Sequence, residues 1–111
     1  MTETTTPNQA WFAVRCVVHH RDLGVYEERI TLWQAPSFDE AIRLAEHEAR
    51  DYASGLNAAS YAGLAQAYEL DDEPGHGGEI FSLMRESTLP TADYLTAFFD
   101  TGSERQQHWQ A

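Results

Sequence analysis

At 111 residues, 42% hydrophobic and 12% aromatic, the chain is long enough for one domain with a single core and too apolar to be disordered. Eighteen acidic residues stand against seven basic ones, all arginine; the formal net charge of −11 removes the electrostatic attraction on which nucleic-acid binding depends. A single cysteine, Cys16, excludes an intrachain disulfide and suits a reducing cytoplasm, and no run approaches the roughly 20 apolar residues of a membrane helix.

The opening MTETTTPNQA has neither a basic start nor an apolar run, so residues 1–10 read as a disordered leader rather than a signal peptide. Trp11 to His20, WFAVRCVVHH, is β-branched and aromatic and reads as a strand. RDLG supplies a turn, and Tyr26 to Trp33, YEERITLW, returns as the second strand of a hairpin. Its central Glu-Glu-Arg is unusual, because strands tend to exclude glutamate. Pro36 ends it. Ser37 then starts a helix, with Glu40 placed to complete a capping box. Phe38, Ala41, Ile42, Ala45, Ala49, Tyr52, Ala53 and Leu56 recur at helical spacing, and the alanines allow close approach to a sheet. Asp39–Arg43 and Glu46–Arg50 are acid-before-base pairs four apart, and Gly55 is a stop.

Tyr61 to Asp71 reads as a third strand, DEPGHGG as a turn, and Glu79 to Glu86, EIFSLMRE, as a fourth strand. Pro90 opens a second helix, Thr91 to Asp100, with a buried stripe of Tyr94, Leu95, Phe98 and Phe99; Gly102 closes it before a polar tail, 103–111. The expected fold is α+β in the order β-β-α-β-β-α: one domain, 11–102, with a four-stranded antiparallel sheet and both helices on one face. That order matches a circular permutation of the ferredoxin-like fold, with strands two and four central.

Alternation assigns Ile30 and Leu32 to the helix side of the sheet and Glu27, Arg29, Thr31 and Trp33 to the open side. Trp11, Arg15, Leu64, Gln66 and Tyr68 join the latter. Trp, Tyr and Arg are enriched in contact surfaces, so Trp11, Arg15, Glu27, Arg29, Trp33, Gln66 and Tyr68 form the candidate binding face. A wetted face with weak cross-strand salt bridges is the alternative. A second copy is the simplest partner, because two-fold dimers dominate soluble oligomers.

No metal site is expected from the five scattered histidines, and ELDDEPGHGGE lacks the spacing of a calcium loop. No nucleophile motif flanks Cys16, which reads as an inert core thiol, and no cofactor is called for. Glu27 and Glu28 point to opposite faces, so they cannot act as a catalytic pair. Aromatics on an open sheet resemble single-strand RNA readers, but the charge argues against that role.

Taken together, WFAVRCVV, YEERITLWQAPSFDEAIRLAE, AQAYEL, FSLMRES and YLTAFFDTGSERQ resemble a bacterial family of small proteins known only as a domain of unknown function, over about Trp11 to Gln107. The resemblance implies a shared fold and supplies no activity. On the matching positions it points to Arg15, Glu27, Glu28, Arg29, Glu69 and Arg85 as the polar residues that matter. Pro90-Thr91 departs from the Ser-Pro helix start expected there.

The functional expectation is a cytoplasmic binding module that forms a homodimer through its open face, with no nucleic-acid or membrane partner. Two alternatives stand beside it. One is an acidic neutraliser of a basic protein, of the immunity type, because charge steering speeds such encounters. The other is a small-ligand binder or enzyme using Arg15, Glu27 and Arg29.

Overall fold

The structure is a computed structural model that describes residues 9–99; the leader up to Asn8, and Asp100, Gly102 and the tail, lie outside the described residues. Its elements are β1 (Ala10–His20), β2 (Val25–Ala35), α1 (Phe38–Ser54), β3 (Ala59–Glu69) and α2 (Thr91–Phe98). The fold is α+β around a three-stranded antiparallel sheet of order β2-β1-β3. None of the described helices is long and apolar enough to cross a membrane.

β1 takes the centre of the sheet, where both its edges are paired, and it carries the strand residues that pack deepest. Phe12, Ala13, Val14, Cys16 and Val18 are all buried, with Val14 and Val18 wholly so. Each such valine contributes roughly 1.5–3 kcal/mol of burial. The β1–β2 hairpin turns through Arg21–Gly24, where the amide of Gly24 donates to the His20 carbonyl at 2.9 Å. Gly24 has φ +66°, a conformation that suits glycine.

This turn sets the register. His20 lies opposite Val25, and the pairing runs through Cys16–Arg29, Val14–Thr31 and Phe12–Trp33. On the other side Arg15 faces Gln66 and Ala13 faces Tyr68, until the pairing shifts between Cys16 and Val18. Gly63, at φ +88°, lies in the stretch of β3 that absorbs the shift.

α1 covers one face of the sheet. The Ser37 hydroxyl accepts from the Glu40 amide at 3.1 Å, as the capping pattern predicts. Ala41, Ala45, Ala49 and Ala53 form the buried stripe against Phe12, Val14 and Cys16. The flanking charges pair differently from expectation. Arg43 reaches Glu40 rather than Asp39, while Glu46 accepts from the Tyr61 hydroxyl at 2.6 Å and Arg50 lies over the Tyr61 ring. Partners on the strands and one turn back are simply nearer.

The expected fourth strand is not formed among the described residues. Glu79–Glu86 joins no ladder, and no side chain of α2 is buried. Glu79 is tied to Tyr68 by a hydrogen bond, and the Phe81 ring lies 6.2 Å from that of Tyr68 and 5.0 Å from the Arg15 guanidinium carbon. The chain after β3 therefore crosses the open face instead of running beside the β3 edge. In consequence α2 lies on the side of the sheet opposite α1, not beside it.

Candidate functional site

Residues paired across antiparallel strands share a face. Arg29, opposite the buried Cys16, therefore lies on the helix side, as do Glu27 and Trp33. This corrects their assignment to the open face and breaks up the expected trio of Arg15, Glu27 and Arg29. The register follows from the turn: once His20 faces Val25, even positions of β1 share a face with odd positions of β2. Judging faces by polarity gave the wrong answer because β2 is an edge strand. Trp33 and Ala35 still reach the core that holds the alanine stripe, but Glu27 and Arg29 meet the polar flank of α1 instead.

There they form a chain of polar contacts. Arg29 gives a two-pronged contact to Glu48, both at 2.9 Å, and its guanidinium lies 3.7 Å above the Tyr52 ring. The Tyr52 hydroxyl is 3.0 Å from both Glu27 oxygens, and His20 Nε2 is 2.9 Å from Oε1. Hydrogen bonding to His20 and then to Tyr52 holds the Glu27 carboxyl below the ordinary carboxylate range. Its bond to Glu27 raises the Tyr52 hydroxyl, and Glu48 raises Arg29. Trp33 turns its indole nitrogen to Thr31 Oγ1 at 2.6 Å. Beneath the helix, burial and then Glu46 push the Cys16 thiol up, in keeping with an inert core group. These contacts hold α1 on the sheet, and none of them lines one of the three clefts described on this molecule.

The open face is different in composition. Arg15 sits at its centre, with Nε and NH2 donating to Gln66 Oε1 at 3.2 and 2.5 Å and NH1 to Glu28 at 3.3 Å. Glu28, not Glu27, is thus the acid paired with Arg15. Around this group stand Ile30, opposite Arg15, and Leu32, opposite Ala13, together with Leu64; they are 41%, 39% and 47% exposed. Trp11 lies at one end, half-buried, and its indole nitrogen has no hydrogen-bond partner among the described residues. Tyr68 is held by Glu79, which pushes its hydroxyl up to about 12. Glu69 ends β3 opposite Phe12 and is exposed.

A cleft of about 270 Å³ separates this face from the chain that crosses it; Arg15, Glu28, Leu64 and Gln66 form its floor, and Arg85, Phe98 and Phe99 its roof. Arg85 donates to the Tyr94 hydroxyl at 3.1 Å and lies over Phe98. No cluster of metal-ligating side chains occurs among the described residues. Of the sequence-predicted residues, the open face thus gathers Trp11, Arg15, Glu28, Gln66 and Tyr68, with Arg85 above them. By apolarity Ile30, Leu32, Phe98 and Phe99 read as core residues, and only the turn-set register moves the first two to the open face.

No family model, curated protein or solved structure matches the chain.

Proposed function

We propose that the chain is an interaction module that works by binding and associates with a second copy through its open sheet face. The carrying observation is the apolar group of Ile30, Leu32, Leu64, Phe98 and Phe99, exposed by 39–52% around an internally satisfied Arg15. Contiguous apolar patches beyond a few hundred Å² are uncommon on monomers and mark contact sites. With each side chain only about half exposed, the patch alone falls short of the ~800 Å² per partner that a stable dimer buries, and the surface around it supplies the rest.

Charge favours a second copy over a basic partner at this place. The cleft holds two arginines and one glutamate, a formal +1, on a chain whose total is −11. Two such patches can meet without the repulsion that the rest of the surface would impose. The buried thiol of Cys16 and the cysteine count fit a cytoplasmic setting. Light scattering at tens of micromolar tests the reading: a dimer mass is expected, and Leu32→Glu should return a folded monomer. A wild-type chain that stays monomeric there defeats it.

A second reading rests on the cleft itself, where Arg85 has no carboxylate partner among the described residues. A small organic anion could sit between the two arginines against Phe98 and Phe99. Melting in the presence of a panel of carboxylates and phosphates tests it, and the absence of any shift removes it.

A further inference from the structure

We propose that the two copies associate by exchanging arms: the segment Glu79–Phe99 of each copy packs on the open face of the other. This rests on the self-association proposed above and says how it is achieved. The first observation is that the arm is unsatisfied where it lies. Glu79–Glu86 has the composition of a strand and makes no ladder, and within it Ile80, Leu83 and Met84 are 41%, 49% and 96% exposed. α2 has 8 residues and none of them is buried. Isolated helices shorter than about 12–15 residues are marginal in water, so a helix like this needs a surface to pack on. Its first turn has no side-chain cap either.

The second observation is a vacant place of matching chemistry. Among the described residues the outer edge of β3, Ala59–Glu69, pairs with no strand, and such an edge offers backbone donors and acceptors. Beside it lies the apolar open face with Ile30, Leu32 and Leu64. The arm of the same chain, started over this face by the Tyr68–Glu79 bond and the Phe81 contact with Arg15, leaves these three side chains 39–47% exposed.

The third observation is the link between them. Asp71–Gly78 contains Pro74 and three glycines, is almost wholly exposed, and turns at Gly77 with φ +78°. Leu70 anchors its start, buried and bonded through its amide to the Trp11 carbonyl at 2.9 Å. A firm anchor followed by an exposed glycine hinge lets the arm swing without disturbing the sheet. Exchange of an identical element reuses the intrachain contacts and is a low-cost route to a dimer. In the exchanged pair each arm lies between the partner's open face and that of its own copy, and this covers the side chains that α2 now exposes.

The test uses the full chain with Phe81 replaced by a photo-reactive phenylalanine analogue, which keeps a ring over Arg15. Unlabelled and ¹⁵N-labelled chains are mixed, unfolded and refolded together, then irradiated and digested. Exchange predicts cross-links from residue 81 to β1 or β3 in which the two peptides carry different isotopes, as abundant as same-isotope pairs. A dimer whose cross-links join only peptides of the same isotope overturns exchange and leaves self-association standing. A monomer with same-isotope cross-links alone overturns both.

Discussion

Arg29→Met separates the role of this arginine under the helix from the interface role that its sequence context suggests. The side chain forms two 2.9 Å contacts with Glu48 and stacks 3.7 Å from the Tyr52 ring centre. A hydrogen bond between charged groups is worth about 1.5–3 kcal/mol, and a cation over an aromatic face about 0.5–2. Both partners remain partly wet, with side-chain exposures of 21% and 34%, so solvent screening lowers the sum. Methionine keeps the aliphatic cover but leaves Glu48 without its cationic partner. The expected loss is about 2 kcal/mol, measured as a lowered midpoint in urea without a change in slope. For a domain of this size, each kcal/mol also lowers Tm by roughly 4–8 °C. A cycle with Glu48→Gln should recover about 1 kcal/mol of coupling between the two sites. Association should be unchanged at protein concentrations where the variant is folded. A variant within about 0.5 kcal/mol of wild type would refute the stabilising role, that being the ordinary scatter of surface changes. A folded but monomeric variant would return Arg29 to the interface.

Three further outcomes follow from the same geometry. Glu27 is held below the ordinary carboxylate range, so its contribution is present above the unfolded value of about 4.3 and is lost as pH falls through the folded one. Urea midpoints between pH 7 and pH 3 should therefore fall less steeply for Glu27→Gln than for wild type, and parallel profiles would contradict this. Gly63→Ala should lower stability by about 1–2 kcal/mol, because φ is +88° there while no atom lies within 4 Å of the added carbon; a neutral change would show that the backbone relaxes. The Cys16 thiol, 3% exposed and raised by burial and by Glu46, should react with DTNB orders of magnitude more slowly in the native chain than in denaturant, and comparable rates would disprove its place in the core.

Three strands, both helix starts and the alanine stripe could be read from local pattern alone, because each depends on neighbours a few residues away. Ser37 with Glu40, Gly24 in the turn and the fourfold alanine spacing are signals of that kind. The fate of EIFSLMRE was not legible, since propensity says what a segment could pair as and not whether an edge receives it. The faces of β2 were legible by a route that polarity obscured. A four-residue turn from Arg21 to Gly24 pairs His20 with Val25 and so places Arg29 beside Cys16. Polarity misled because an arginine can lie half under a helix when a glutamate and a tyrosine wait on the flank of that helix.

That exchange of faces changes what the charged strand means. Within YEERITLW, Glu27 and Arg29 fasten α1 to an edge strand that has too few apolar contacts to hold it alone, while Glu28 alone remains to balance Arg15 on the other side. Putting charge under the helix leaves Ile30 and Leu32 for the opposite face, since one strand cannot offer both its polar and its apolar set to the same side. An exposed apolar strand face on a single chain is a hazard, and short, bulged or covered edges are the usual remedies. Here the remedy is incomplete within one copy: the arm leaves Ile30 and Leu32 41% and 39% exposed, and its own helix has no buried residue. The acidity of the remaining surface keeps unrelated chains apart by repulsion. The nearly neutral cleft is where that repulsion is weakest, and therefore where a specific contact between two such chains costs least.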